Sequence, residues 1–291
     1  MSLTFVRSFV LLSPQLLKVG LKLLNRPVLC HLGTSSVPVS VPEQTDPLQL
    51  SPGNYKYLLG EENRTKCMEK MHKLPVFKRP RGLPPSDHEK NFSSVLIALC
   101  QERGKDEVSL LYTRRSRNLR SHSLHPSFPG GRMEQNDASY VACALRETEE
   151  EIGLPGHRVQ VWGEAMVIHL PRTSSIVPVV GVIPDFDMAE LRLNPDEVEE
   201  VFTVPLNSMI QPTATRHTQF RSGYSIPVFA VEPRRVWGIT AYLTLLFLHS
   251  LLPASLLPDC LRNSVQFVRP FKTPWLAARN RNQVSDNSMR D

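Results

Sequence analysis

The stretch LRETEEEIGL, residues 145–154, sets Glu147, Glu149, Glu150 and Glu151 within five positions and closes on a glycine. Like charges spaced i, i+4 oppose helix formation by about 0.2–0.5 kcal/mol a pair. The residues around them nevertheless carry a helical period. With Glu147 at zero and roughly 100° per residue, Glu151 falls near 40° and Glu150 near −60°, so three carboxylates share one arc. Val141, Ala144, Leu145, Thr148 and Ile152 make the apolar stripe that borders it, and Glu149 points away. Such a helix is anchored by one face and presents an acidic edge to its surroundings. Repulsion along that edge is relieved when a cation sits among the charges. Hard oxygen donors at i and i+4 suit Mg²⁺ or Mn²⁺, which keep several waters and bridge to phosphates. The alternative is a plain solvated acidic face.

The rest of the chain supplies strands and helices in irregular alternation, which predicts an α/β sandwich rather than a regular parallel sheet. SSVLIALCQ (93–101) and EVSLLYTRR (107–115), separated by the turn ERGKD, read as a hairpin. A long loop leads to the acidic helix, expected to start near Asp137, with Asp137 or Asn136 as N-cap, and to end at Gly153. Further strands are predicted at 159–168, 175–184, 199–206 and 224–231, and an apolar helix at 236–252. EENRTKCMEKMHKL (61–74) reads as a short amphipathic helix leading into the domain, followed by the basic, proline-broken loop PVFKRPRGLPPSDHEK. No internal repeat is visible.

Charge separates the ends from the middle. Of the formal +6, residues 1–42 contribute +4 and residues 262–291 another +4, which leaves −2 for 43–261. The central domain therefore lacks a generally cationic surface, and no stable nucleic-acid partner is expected. The first 42 residues mix Leu, Val and Phe with Arg7, Lys18, Lys22 and Arg26 and hold no acid, the pattern of a mitochondrial transit peptide. A matrix location follows, with 43–90 as linker plus short helix, 91–252 as the domain, and 253–291 as a basic, disordered tail. No apolar run is long enough to span a bilayer. Five scattered cysteines without metal or redox spacing read as reduced thiols.

FPGGRMEQNDASYVACALRETEEEIGL (128–154) resembles the signature of the Nudix hydrolases, with Gly130, Gly131, Arg146, Glu147, Glu150, Glu151, Gly153 and Leu154 at matching places. The spacing before the arginine is eight rather than seven counted from Asp137, which stands where the family has glutamate. This departure, with LLYTRRSRNLRSHSLHPSFPGG (110–131) upstream, resembles the coenzyme A diphosphatase branch. Leu110, Leu111, Thr113, Arg115, Ser116, Arg120, His122 and Ser127 to Gly131 fit that branch, whereas Leu124 stands where it usually has glycine. NPDEVEEVFTVPL (194–206) and VWGITA (236–241) extend the likeness to roughly 90–250.

The resemblance implies a Nudix fold, a mixed β-sheet between α-helices, and metal-dependent hydrolysis of coenzyme A and acyl-coenzyme A. The implied Mg²⁺ or Mn²⁺ ligands are Glu147, Glu151, Glu150 and the backbone of Gly131, with Glu150, Glu147 and Arg146 as the implied catalytic set. Arg146 is implied to brace the helix through a salt bridge. Arg115, Arg120, His122 and Arg132 are the expected substrate-binding residues, since guanidinium forks pair phosphates. Glu150, Glu197 and Glu200 stay open as the general base. The protein is expected to be a monomer or homodimer. No GxSxG elbow supports a serine hydrolase instead.

Overall fold

The computed structural model describes residues 49–73, 92–169, 175–219 and 225–262. The expected leader at 1–42, the proline-broken loop and the chain beyond 262 lie outside the described residues. In chain order the elements are α1 Pro52–Leu59, α2 Glu61–His72, β1 Phe92–Glu102, β2 Val108–Arg115, β3 Pro126–Ser127, β4 Gly130–Arg132, α3 Tyr140–Ile152, β5 Gln160–Glu164, β6 Ser175–Phe186, β7 Val198–Pro205, α4 Leu206–Met209, β8 Thr215–Gln219, β9 Ser225–Phe229, α5 Gly238–Leu251 and α6 Asp259–Arg262.

The expected hairpin forms, but only at its turn end, where Leu99, Cys100 and Gln101 face Leu110, Ser109 and Val108. Beyond that point β1 and β2 diverge, and the segment 126–132 fills the fork. β4 pairs with β1 through Ser94 and Gly131, and β3 pairs with β2 through Thr113 and Ser127. The outer edge of β1 runs parallel to β6, β5 flanks β6, and β7 lies along the outer edge of β2. The result is a mixed seven-stranded sheet, with β8 and β9 as a separate ribbon.

Period-two alternation along β1 divides its side chains between two cores. Leu96, Ala98 and Cys100 face α3, where Ala144 and Ile152 close one layer. Ile97 and Leu99 face the other layer, with Tyr55, Leu58, Met71 and Phe247 from α1, α2 and α5. The mixed sheet between helices is thus the α/β sandwich expected. α5 is apolar all round because it is wrapped on most sides. Its Thr244 bonds the Tyr112 hydroxyl at 2.9 Å, and its Thr240 donates to the Pro126 carbonyl at 2.8 Å, bracing the segment in the fork.

Some boundaries differ from expectation. α1 stands where a linker was expected: Ser51 and Asn54 form a capping box, Pro52 opens the helix, and Tyr55 and Leu58 are buried. The strand expected at 159–168 ends at Glu164. Ala165 N–H still donates to Pro178 O on β6 at 2.7 Å, but Pro178 has no N–H to return the bond, and the next bridge is Ile168–Ile176. β8, with its polar TRHTQ, has no apolar alternation to announce it. The chain also stays packed past Leu252, with Leu257 and Leu261 buried. Among the described residues no helix is long and apolar enough to cross a membrane.

Candidate active site

The site lies where α3 crosses the fork in the sheet. α3 is capped by Ser139, not by Asp137 or Asn136: the Ser139 hydroxyl accepts from Ala142 N–H at 3.1 Å. Asp137 has other work. Both its oxygens take the Arg146 guanidinium, Nε and Nη2, at 2.9 Å each. The helix runs unbroken from Tyr140 to Ile152. Gly153 ends it in the left-handed region, φ 69°, and donates to Glu149 O at 2.8 Å.

The Phe128–Gly131 turn fixes the other wall. Leu96 N–H donates to Pro129 O at 2.8 Å. At Gly130, φ is 142°, and a Cβ there would lie 2.3 Å from Ser94 O and 2.6 Å from Val95 Cα. Only glycine fits so near a neighbouring strand. The Gly130 N–H donates to Glu151 Oε2 at 3.1 Å. At Gly131 the steric demand comes from the site itself, since a Cβ would lie 2.3 Å from Glu147 Oε2. The two glycines thus seat two carboxylates of α3 directly on the backbone of the fork.

The three arc carboxylates are treated differently. Glu151 is buried, 4% exposed. Burial pushes its carboxyl up to about 8, against the opposing pull of the Gly130 N–H and Arg115, while Glu147 and Glu197 push it further up. Glu147 is also raised, by burial first, with Glu150 and Glu197 adding to it. Glu150 sits at the rim, 55% exposed, and its carboxylate takes Arg146 Nη1 at 2.9 Å. Arg146 also reaches Glu147 at 3.2 Å and the Arg132 carbonyl at 3.1 Å. It therefore fastens the helix to the fork, the bracing role the sequence implied.

The basic residues divide too. Arg114 pairs with Glu200 at 3.6 Å and Arg117 with Glu199, so both hold β7. Arg234 also takes Glu200, at 3.0 Å, so that carboxylate is occupied by two arginines. Arg115 forms no salt bridge among the described residues, and its charge acts on Glu151, His122 and His125. Arg120, His122 and Arg132 are exposed. Glu197 is half-buried, also without an ion pair among the described residues, and its carbonyl accepts from Ser116 N–H at 2.8 Å.

No three His, Cys, Asp or Glu side chains among the described residues already form a metal cage. The donor set still fits a hard divalent cation that keeps its waters. Glu147 and Glu151 are close, oxygen-only, under-compensated and next to a backbone that no side chain crowds. A cation there would remove the penalty that burial imposes on two neighbouring carboxylates.

Comparison with known proteins decides the family. Residues 90–223 match the NUDIX domain. The chain is 40% identical over 171 residues to the mitochondrial coenzyme A diphosphatase NUDT8 of Homo sapiens, covering 57% of this chain and 72% of that protein. This chain belongs to the Nudix hydrolase family. The Mus musculus mitochondrial coenzyme A diphosphatase NUDT8 is 39% identical over 206 residues, 69% of this chain and 93% of that protein. Among solved structures, a MutT/nudix family protein from Enterococcus faecalis covers 58% of this chain and 64% of its own at 15% identity, with a TM-score of 0.40. Nudix hydrolases generally use divalent metal ions.

In this Nudix hydrolase the structure brings Glu147, Glu151, Gly131, Arg146 and Arg115 to one place and leaves Glu150 at its rim. Sequence reasoning missed Ser139, because Asp137 is the stronger-looking cap until its bond to Arg146 is seen. It also missed His125 and Trp237, whose rings meet with centroids 4.2 Å apart. Neither residue has a neighbour in sequence that signals the contact.

Proposed function

We propose that this Nudix hydrolase cleaves the diphosphate of coenzyme A and its thioesters, giving 3′,5′-ADP and 4′-phosphopantetheine or its acylated form. The observation that carries the reading is the under-compensated Glu147–Glu151 pair seated on the Gly130–Gly131 turn, with Arg115 beside it. The names of the two NUDT8 relatives support the substrate. Their mitochondrial designation, with the basic, acid-free leader, supports a matrix location.

Mg²⁺ or Mn²⁺ held by Glu147, Glu151 and the Gly131 carbonyl would neutralise diphosphate oxygens and acidify a bound water. The chain's own residues do the rest. The Gly130 N–H fixes Glu151, and Gly131 leaves room for Glu147. Arg146 locks α3 to the fork through Asp137. Arg115, with Arg120 and Arg132, binds the phosphates of the substrate, and His122 contacts the substrate beside them. Glu197 takes the proton of the attacking water, since Glu200 is engaged by Arg114 and Arg234 and Glu150 by Arg146. One water is consumed and one P–O bond of the diphosphate breaks.

A substrate panel with Mg²⁺ and Mn²⁺, read by product identification, tests the reading: coenzyme A, dephospho-coenzyme A, NADH, nucleoside diphosphate sugars and capped RNA. Coenzyme A should lead its dephospho form by about 10–150-fold, the worth of a charged hydrogen bond to the 3′-phosphate. Neutralising Arg115 and Arg120 should shrink that lead. Equal rates on both forms would reduce the assignment to a broader diphosphatase.

A further inference from the structure

Three rings stand in a row on the Arg115 side of the site. His122 meets His125 edge-on, with centroids 5.1 Å apart and planes at 67°, and His125 meets Trp237 at 4.2 Å and 56°. They come from elements far apart in sequence. His122 and His125 belong to the loop between β2 and β3, and Trp237 is the residue before α5. The loop is held in shape by its backbone: Arg115 N–H donates to His125 O at 3.0 Å, Leu124 N–H to Arg115 O at 3.0 Å, and His125 N–H to His122 O at 3.2 Å. His122 itself has a left-handed backbone, φ 54°, which re-aims its ring without a glycine. Thr240 on α5 holds the start of β3, where this loop ends, through Pro126 O.

Arg115 is near both the row and the carboxylates: its backbone bonds Leu124 and His125, and its charge acts on Glu151 and on both histidines. Burial and then neighbouring positive charge, from His122 and Arg115, hold His125 down at about 4. At neutral pH it is thus an uncharged aromatic ring rather than a second cation competing for phosphate. The row is half-buried at Trp237 and His125 and opens to solvent at His122. A row of tilted, partly open rings with an uncharged His125 at its centre, beside an arginine, has the chemistry of a nucleobase subsite, where one exposed ring face stacks a base and tolerates any base but requires one.

We propose that His122, His125 and Trp237 form the subsite that stacks the purine base of the substrate, with Arg115 between that base and the diphosphate. The inference rests on the coenzyme A reading for the identity of the base and deepens it: the adenosine half, rather than the pantetheine arm, lies on the β2–β3 loop.

The test compares two ligands that differ only in the base, adenosine 3′,5′-bisphosphate and ribose 3,5-bisphosphate, by calorimetry on the full-length protein, where turnover is not needed. The base-containing ligand should bind about 5–150-fold more tightly, the range for one stacked base. Trp237→Leu and His125→Ala should each cut that preference severalfold, whereas Trp237→Phe, which keeps a ring, should retain most of it. Should Trp237→Leu fail to fold, His125→Ala in the surface loop carries the test. Equal affinity for the two ligands in the unmodified protein, or a preference untouched by both ring removals, overturns the proposal. Coenzyme A hydrolysis measured alongside separates the two readings. Turnover of coenzyme A without any base preference sinks the platform alone. A ring-dependent base preference without turnover of coenzyme A sinks the substrate reading alone.

Discussion

Adding one methyl group at either of two adjacent glycines should have opposite consequences. At Gly131 the new Cβ would lie 2.3, 2.4 and 2.6 Å from Oε2, Cδ and Oε1 of Glu147. An unstrained contact needs about 3.4 Å, so the carboxylate must retreat by roughly 1 Å. It is the far end of a flexible side chain, and the fold should scarcely notice: about 1 kcal/mol or less, or a Tm change under about 4 °C. A misplacement of about 1 Å in a catalytic group costs on the order of 100-fold in rate. At Gly130 the methyl meets backbone instead, 2.3 Å from Ser94 O and 2.6 Å from Val95 Cα near the start of β1, at φ 142°. Strain of about 1–3 kcal/mol and overpacking of about 1–3 kcal/mol together predict a Tm lower by roughly 5–20 °C. Thermal unfolding and initial rates on coenzyme A, measured for Gly131→Ala and Gly130→Ala, give the comparison. A Gly131→Ala protein that is stable and fully active would refute the argument that Glu147 must lie against that backbone.

Three further outcomes follow from the same geometry. Asp137 is held down at about 2, chiefly by its bond to Arg146, so its contribution is whole above about pH 4 and lost as pH falls through 2. Asp137→Asn should therefore cost about 1.5–3 kcal/mol at neutral pH, a gap that closes between pH 4 and 2; a gap constant down to pH 2 in denaturant titrations would argue against the pair. Glu151 has the reverse sign: its raised value means that metal-free protein loses stability as pH rises from about 4.5 to 8. Metal-free Glu151→Gln should accordingly have the higher Tm at pH 8, with added Mg²⁺ narrowing the difference; a lower Tm contradicts the burial argument. Leu124 is left-handed, φ 59°, and partly exposed, so Leu124→Gly should relieve about 1 kcal/mol of strain and raise Tm by a few degrees, whereas a fall would show that its side chain packs usefully.

Much of this was legible in the sequence because the chemistry and the fold use the same short segment. The helical period of 141–152 and the closing Gly153 define α3, and the FPGG turn before it needs glycine for steric reasons visible in the pattern. What the sequence could not show was the partition among equals. Glu147, Glu150 and Glu151 share an arc on paper, yet only the fork in the sheet turns two of them inward and leaves Glu150 to Arg146. Arg114, Arg115 and Arg117 look alike as a basic run. Strand alternation and the carboxylates of β7 engage the outer two and leave Arg115 at the site. The cap was misread for a similar reason, since Asp137 suits an N-cap locally but is claimed by a residue nine positions away. The His125–Trp237 contact and β8 depend wholly on tertiary packing.

If the Glu147–Glu151 pair serves hydrolysis of the coenzyme A diphosphate, the products and their dependence on Glu151 must show it. That role is tested most directly by incubating the full chain with coenzyme A and Mg²⁺ or Mn²⁺ and identifying the products by mass spectrometry, alongside Glu151→Gln. The unmodified protein should give equimolar 3′,5′-ADP and 4′-phosphopantetheine, and Glu151→Gln, whose fold survives, a rate lower by orders of magnitude. Intact coenzyme A with either metal, or a Glu151→Gln protein that keeps pace with the unmodified one, would contradict it.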